Sequence, residues 1–336
     1  MDLAHVLVTG GLGFIGSAIS ENLLANGVRV TIVDSLVSNV IDASYLTTRY
    51  SSVEIHEMPV TAYFSRIHEV PDYSLVIHAA SLVGPAGILS YAGVIGEDIV
   101  NSTSQVIKYC VANRVPLVNF SSAEVYGVSG VLTESMDIRV PYTYNARLEY
   151  ALGKLTSESM IVNSKTRGLR ATIIRPFNVV GPRQSRKAGF VLPTFVQQAL
   201  AGAPLTVFES GTQKRAFTDV SDIVDFVLHY AENAFDNPHP TFNLGNPANV
   251  TTVLELARRI KTLLGSKSEI IYTDGKTVYG PHYFEAESFL KLPDIARAKA
   301  LGWNPKIPLD DVILNAAQFF SENHDPRETD AKRRIA

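Results

Sequence analysis

The chain has 336 residues, 46 percent hydrophobic and 19 percent charged, with a net charge of −3; that is an ordinary soluble globular composition with room for a large core. No basic cluster is large enough to suggest nucleic acid, and a single cysteine, Cys110, excludes an intramolecular disulfide and a cysteine-built metal site, so no metal is expected. The apolar stretch 82–96 is broken by Gly84, Pro85, Gly87, Gly93 and Gly96, and the first strand begins by residue 5; neither a membrane span nor a signal peptide is expected, and the cytoplasm is the default location.

In chain order, His5-Val-Leu-Val-Thr9 reads as a buried parallel strand that runs into Gly10-Gly11-Leu12-Gly13-Phe14-Ile15-Gly16, followed by a helix through Asn26. Glycines at 10, 13 and 16 give GxxGxxG, the strand, tight turn and helix start that let a backbone approach a pyrophosphate. The first-turn amides, from Phe14 to Gly16, are expected to face it. A second strand over 28–33 ends in Asp34, where a carboxylate can accept both adenosine ribose hydroxyls and repel a 2′-phosphate. That favours NAD over NADP. Further strand-like runs at 53–56, 74–79, 115–120 and 169–175 alternate with helical stretches, which predicts a doubly wound parallel α/β sheet covered on both faces.

His78 closes the fourth of these strands and is read as a packing residue as readily as a cofactor contact, so it stays outside the site. The fifth runs into Asn119-Phe-Ser121-Ser122-Ala123-Glu124-Val125-Tyr126-Gly127. Ligands of such sheets bind beyond the carboxyl ends of the strands, so the hydroxyls of Ser121 and Ser122 and the Glu124 carboxylate stand where chemistry is expected, with one of the serines open to a turn-capping role. Helical periodicity is clear over 98–113 and 145–166, with Cys110 at a core position of the first. The second carries Tyr150-Ala-Leu-Gly-Lys154, whose spacing puts a phenol and an ammonium on one helix face. A phenol with a pKa of about 10 takes a proton from an alcohol at neutral pH only where a cation favours its phenolate. Lys154 is that cation.

After Pro176 the alternation fades. Residues 1–176 and 216–245 are expected to form the Rossmann domain, and 177–215 with 246–325 a smaller substrate lobe. The polar end, 326–336, is expected to be a poorly ordered tail. The basic group Arg183 to Lys187 sits in a loop suited to phosphate.

Four motifs occur in order: Thr9-Gly-Gly-Leu-Gly-Phe-Ile-Gly16, Ser121-Ser-Ala-Glu-Val-Tyr-Gly127, Tyr150-Ala-Leu-Gly-Lys154 and Arg175-Pro-Phe-Asn-Val-Val-Gly-Pro-Arg183. Together they resemble the extended short-chain dehydrogenase/reductase family of nucleotide-sugar epimerases, dehydratases and decarboxylases. The likeness continues through Gly211-Thr-Gln-Lys-Arg-Ala-Phe-Thr-Asp219, Phe242-Asn-Leu-Gly-Asn246 and Ala300-Leu-Gly-Trp-Asn-Pro-Lys306.

The resemblance implies an NAD cofactor, a nucleotide-sugar substrate and a homodimer built on the two long helices. It implies Tyr150 as base and Ser122 on the same sugar oxygen, with Lys154 holding the nicotinamide ribose and lowering the Tyr150 pKa. Asn178 and Arg215 fall on the diphosphate and Phe208 against the base, although Asn178 also suits a backbone-satisfying turn, Arg215 an ion pair and Phe208 a core position. The chain departs from the family at Glu57-Met58-Pro59, where Gly-Asp is common, and at Asp98, where asparagine is usual.

The expected reaction is 4-epimerisation of a nucleotide sugar, with a UDP-sugar the expected substrate: an epimerase needs no further acid or base, and Glu124 is the residue that separates this outcome from the others. A UDP-glucuronate decarboxylase is the alternative: in those enzymes Ser-Glu follows the hydroxyl residue, so Glu124 matches and Ala123 departs, and Tyr279-Gly-Pro-His-Tyr283 is similar to the same subgroup. A dehydratase uses an Asp-Glu pair there, and the acid is missing. A simple redox enzyme that releases its ketone, and a non-catalytic NAD-binding sensor or scaffold, complete the alternatives.

Overall fold

Seven short runs dominated by Val, Ile and Leu assemble into one parallel sheet. They are β1 (His5–Thr9), β2 (Arg29–Asp34), β3 (Val53–Glu57), β4 (Leu75–His78), β5 (Leu117–Phe120), β6 (Ala171–Pro176) and β7 (Thr241–Leu244). Their order is β7-β6-β5-β4-β1-β2-β3, every neighbouring pair parallel. The computed structural model describes residues 3–66, 72–140, 144–279 and 290–322; the expected tail at 326–336 and most of the motif at 279–283 lie outside them.

Alternate side chains of each strand point to opposite faces, and both faces are buried. Val6 and Val8 of β1 join Ile19, Leu23 and Phe242 on one side, while Leu7 joins Val76, Val106 and Ile161 on the other. Such two-sided burial is why these strands read as continuous apolar runs. The chain switches direction across the sheet between β1 and β4, and the resulting crevice at the strands' carboxyl ends is where a doubly wound sheet takes its ligand.

Helix α1 (Phe14–Ala25) follows β1 through the glycine turn. Helices α2 (Ile95–Asn113) and α3 (Ala146–Ser164) pack side by side, with Gly153 so close to Gly96 that a Cβ on Gly153 would lie 3.1 Å from the Gly96 Cα. The start of α3 is set by Asn145, whose side chain accepts the Leu148 N–H at 2.9 Å. Helix α4 (Val220–His229) begins likewise at Asp219, which caps Ser221 N–H.

A second sheet runs Val250–Thr252, Lys214–Ala216, Leu290–Pro293 and Gly130–Leu132 in that spatial order. It brings a strand from just beyond β5 next to strands from the last third of the chain. Beneath lies a separate core of Phe195, Val196, Phe217, Leu256, Ile260 and Ile313. Trp303, fully buried, packs edge-on to Phe226 of α4 and donates its indole N–H to the Asp222 carbonyl at 3.1 Å, which ties the C-terminal segment to the main sheet's helices.

Candidate active site

Backbone conformation makes the first part of the site. Gly10 has a φ of 70°, and a Cβ there would meet the Ala80 backbone at 2.7 Å; one on Gly16 would sit 2.0 Å from the Gly10 carbonyl oxygen. Only glycine fits either place. Helix α1 opens at Gly13 with no side-chain cap, so the amides of Phe14, Ile15 and Gly16 have their orphan donors directed at the crevice. A dinucleotide pyrophosphate fits that start. Asp34 ends β2 as expected and is buried, yet it also holds the loop: its carboxylate accepts the N–H of Leu12 at 3.0 Å and of Leu36 at 2.9 Å. Each oxygen retains a lone pair for a ribose hydroxyl.

The second part gathers at the end of β5 and on α3. Ser122 is the first residue of a turn that continues as a short helix, Ala123–Tyr126, and its Oγ accepts the Glu124 N–H at 3.1 Å. The same hydroxyl hydrogen-bonds Tyr150, whose ring is packed among Ile88, Ile95 and Ile99 and is only 3 percent exposed. Burial pushes the Tyr150 phenol above its ordinary value, with the Glu124 charge adding to the rise and the Ser122 bond opposing it. The lowering expected from Lys154 is not seen. The ammonium lies 5.9 Å from the Tyr150 ring centroid and donates to the Phe120 carbonyl at 2.9 Å, so its field reaches the phenol weakly. Burial lowers Lys154 itself to about 8, against the opposing charges of Glu158 and Asp98.

Ser121 points the other way, donating to the buried Glu158 carboxylate. His78 is enclosed between Thr9, 2.7 Å from its Nδ1, and Thr103, 3.4 Å from its Nε2; burial, with the Lys154 charge, lowers it to about 3 and keeps it neutral. It is a packing residue, and Cys110 is buried in the core as well.

Glu124 has two partners that sequence reasoning missed. Arg147 Nε donates to one carboxylate oxygen at 2.6 Å and its Nη2 to the other at 3.2 Å, and Lys291 Nζ bonds the same carboxylate. Burial alone would raise Glu124, but Lys291 and Arg147 outweigh it and hold the carboxyl well below the usual range. Lys291 is buried, which lowers it to about 8 despite Glu124. Arg215 lies one strand away, in register with Lys291, and is buried too. Two cations thus hold one carboxylate beside Ser122 and Tyr150, with Arg215 on the strand next to Lys291. Arg147 stands three residues before Tyr150, a spacing that could have pointed to it; Lys291 has no local signal.

Asn178 has a φ of 39° and donates its side-chain N–H to the Ala216 carbonyl at 3.2 Å. Phe208 ends a strand, Leu205–Phe208, of a separate two-stranded sheet with Ile270–Thr273 and is half-buried. In the basic loop, Arg183 is committed to Glu21 at 2.7 Å and the Tyr45 hydroxyl at 2.8 Å.

Residues 6–245 match the model of the NAD dependent epimerase/dehydratase family. The chain belongs to that family. Among its relatives, UDP-glucuronic acid decarboxylase 1 of Danio rerio is 32 percent identical over 328 residues, covering 95 percent of this chain and 73 percent of the relative. UDP-N-acetyl-alpha-D-glucosaminuronate decarboxylase of Bacillus cytotoxicus is 29 percent identical, over 94 and 97 percent of the two chains. The fold of this family member is shared with the UDP-glucose 4-epimerase of Thermotoga maritima, at a TM-score of 0.80 and 24 percent identity over 96 percent of this chain and all of the other. UDP-glucuronic acid 4-epimerase from Bacillus cereus, solved with UDP-glucuronic acid and NAD, gives 0.77 at 22 percent, over 95 and 99 percent. This chain is an NAD-dependent enzyme of the extended short-chain dehydrogenase/reductase type, with the seven-stranded Rossmann-like sheet expected of it. Among the described residues, no helix is long and apolar enough to cross a membrane.

Proposed function

We propose that this enzyme oxidises carbon 4 of a nucleotide-linked hexuronate, a UDP-hexuronate in the first instance, and releases the 6-carboxylate as carbon dioxide. The observation that carries the reading is the pairing of Arg147 and Lys291 with Glu124, next to Ser122 and Tyr150, with Arg215 on the strand beside Lys291. Epimerisation, the outcome expected from the sequence, has no use for it. Lys291 is a buried ammonium, costly to desolvate unless anions face it, and a sugar carboxylate is an anion that it and Arg147 would attract. The decarboxylase names of the relatives at 32 and 29 percent identity agree with this choice.

In the proposed reaction Ser122 and Tyr150 bond the oxygen on carbon 4, and Tyr150 takes its proton. Gly10, Gly13, Phe14, Ile15, Gly16 and Asp34 hold NAD together with Lys154, and the bound cofactor supplies the hydride acceptor and donor at carbon 4. Once carbon 4 is a ketone, the bond from carbon 5 to the carboxylate lies β to it. Its electron pair can pass into the ketone as carbon dioxide leaves, and the oxygen that receives the charge is the one bonded by Ser122 and Tyr150. Carbon 5 then needs a proton. Lys291, at about 8, is an ammonium able to give one at neutral pH. Arg215 and Asn178 are the proposed diphosphate contacts and Phe208 the base contact. The enzyme is further proposed to work as a homodimer through the outer faces of α2 and α3, where Val162 is exposed; sedimentation at a single-subunit mass would oppose this.

The test is incubation with UDP-glucuronate and with UDP-glucose, read by mass and proton NMR. Loss of carbon dioxide from UDP-glucuronate, abolished in Glu124→Gln, is the expected result. A product of unchanged mass inverted at carbon 4, with Glu124→Gln still active, would return the enzyme to the epimerases.

A further inference from the structure

Behind the reactive groups lies a buried ion pair that the proposed chemistry does not use. Glu158 stands one helical turn beyond Lys154 on α3 and is 4 percent exposed. Arg175, near the end of β6, grips it with two bonds, Nε to Oε1 at 2.8 Å and Nη2 to Oε2 at 2.5 Å. Arg175 in turn lies over the Tyr126 ring, 4.7 Å from its centroid, and the Tyr126 hydroxyl is fixed on Asn243 at 2.6 Å. The same Glu158 carboxylate takes the hydroxyl of Ser121, whose backbone leads directly into Ser122.

We propose that Glu158 is a positioning residue: one buried carboxylate, locked by Arg175, anchors the turn that carries the Ser122 hydroxyl through Ser121 and supplies the nearby negative charge that keeps the Lys154 ammonium charged. It rests on the reading of Ser122, Tyr150 and Lys154 given above. Two links follow from the geometry, one mechanical and one electrostatic. The mechanical link is Ser121, which ties the end of β5 to α3 from inside the protein and so fixes Ser122 relative to Tyr150. The electrostatic link is distance along the helix. The groups facing Lys154 are Tyr150 and Glu158 from its own helix, Asp98 from α2, neutral His78 from β4 and the Phe120 carbonyl from β5. Of the two carboxylates, Asp98 is exposed and screened by water, whereas Glu158 is enclosed. Burial lowers the lysine, and Glu158 is the larger of the two charges opposing that fall.

The two links separate experimentally. In full-length protein carrying carbon-13 lysine, the Lys154 signal is assigned by its loss in Lys154→Arg, and its titration midpoint is followed without substrate. In Glu158→Gln the midpoint should fall by about one unit, because an anion has been removed from a desolvated neighbour. Ser121→Ala keeps that charge, so its midpoint should not move, while kcat should drop about tenfold with KM nearly unchanged, the mark of lost orientation. Should Glu158→Gln alone fail to fold, the Glu158→Gln/Arg175→Met pair leaves no unmatched ion; its midpoint should fall in the same direction but by less, because the guanidinium bonded to Glu158 is removed with it. A folded variant with the wild-type Lys154 midpoint would overturn the electrostatic role, and wild-type kcat in Ser121→Ala the mechanical one. Neither measurement of the midpoint depends on turnover, so full activity in Tyr150→Phe would remove the reading of the site and leave this result standing.

Discussion

Tyr150 and Lys291 are each buried in a state that suits them poorly at rest. The phenol is pushed up by its apolar surroundings, and the ammonium is pushed down to about 8. For Tyr150, replacement by Phe keeps the ring among Ile88, Ile95 and Ile99 and deletes only the hydroxyl. Turnover should fall by roughly 10²- to 10⁴-fold with NAD affinity retained, which steady-state kinetics and a cofactor titration would measure. For Lys291 the sign is set by its proton. Below about 8 it is an ammonium and attracts a substrate carboxylate; as the pH rises through that value the charge is lost, and KM for a hexuronate should climb. Lys291→Arg carries a charge that persists past pH 10, so its KM should stay flat over the same range. Lys154 also titrates near 8, and its effect, in kcat, should remain in the Arg variant.

At the scale of elements, the site depends on how closely α2 and α3 approach. Gly153 lies on the α3 face between Tyr150 and Lys154, against Gly96 and Ile99 of α2. A Cβ alone would already sit 3.1 Å from the Gly96 Cα, so the larger Gly153→Val cannot be absorbed by a rotamer change. It should cost about 1–3 kcal/mol, as overpacking does, seen as a lower denaturant midpoint at constant slope. Because α3 carries both Tyr150 and Lys154, kcat should fall in the same variant. The helix termini tell a related story. Asn145 and Asp219 start α3 and α4 by ordinary side-chain capping, whereas Gly13 starts α1 with none and leaves its first amides available.

At the scale of the whole molecule, the C-terminal segment is joined to the main sheet's layers at Asp222. Its carboxylate accepts Lys306 N–H at 2.9 Å and Ile307 N–H at 3.4 Å, and its carbonyl takes the Trp303 indole. Trp303 is the chain's single tryptophan, so its emission reports this junction alone. If the junction holds both parts in one cooperative unit, the emission change and the loss of far-ultraviolet circular dichroism should share one denaturation midpoint. A tryptophan transition at lower denaturant would mean that the segment detaches first. The site needs this union, since Lys291 comes from the smaller sheet and Glu124 from the end of β5.

The local features of the protein were legible in the residues themselves. Strand runs, the GxxGxxG turn and the spacing of Tyr150 and Lys154 each span only a few residues, and backbone geometry ties such spacings to definite arrangements: period 2 on a strand, one face every three to four residues on a helix. The positions of Ser122 and Asp34 in the fold could be read because Asp34 ends a recognisable strand and Ser122 lies two residues past the end of another. What tertiary structure alone decided is which charges meet. Glu124 and Lys291 are 167 residues apart, and Tyr126 and Asn243 are 117 apart. Even Arg175, inside a recognised motif, showed no sign of pairing with Glu158. Periodicity carries no information on contacts between separate elements, which depend on strand order and on which sheet each strand joins. The same holds for Tyr150, whose spacing promised a lowered pKa and whose enclosure by Ile88, Ile95 and Ile99 reversed it; desolvation is a property of the packed surroundings, and those are assembled from distant parts of the chain.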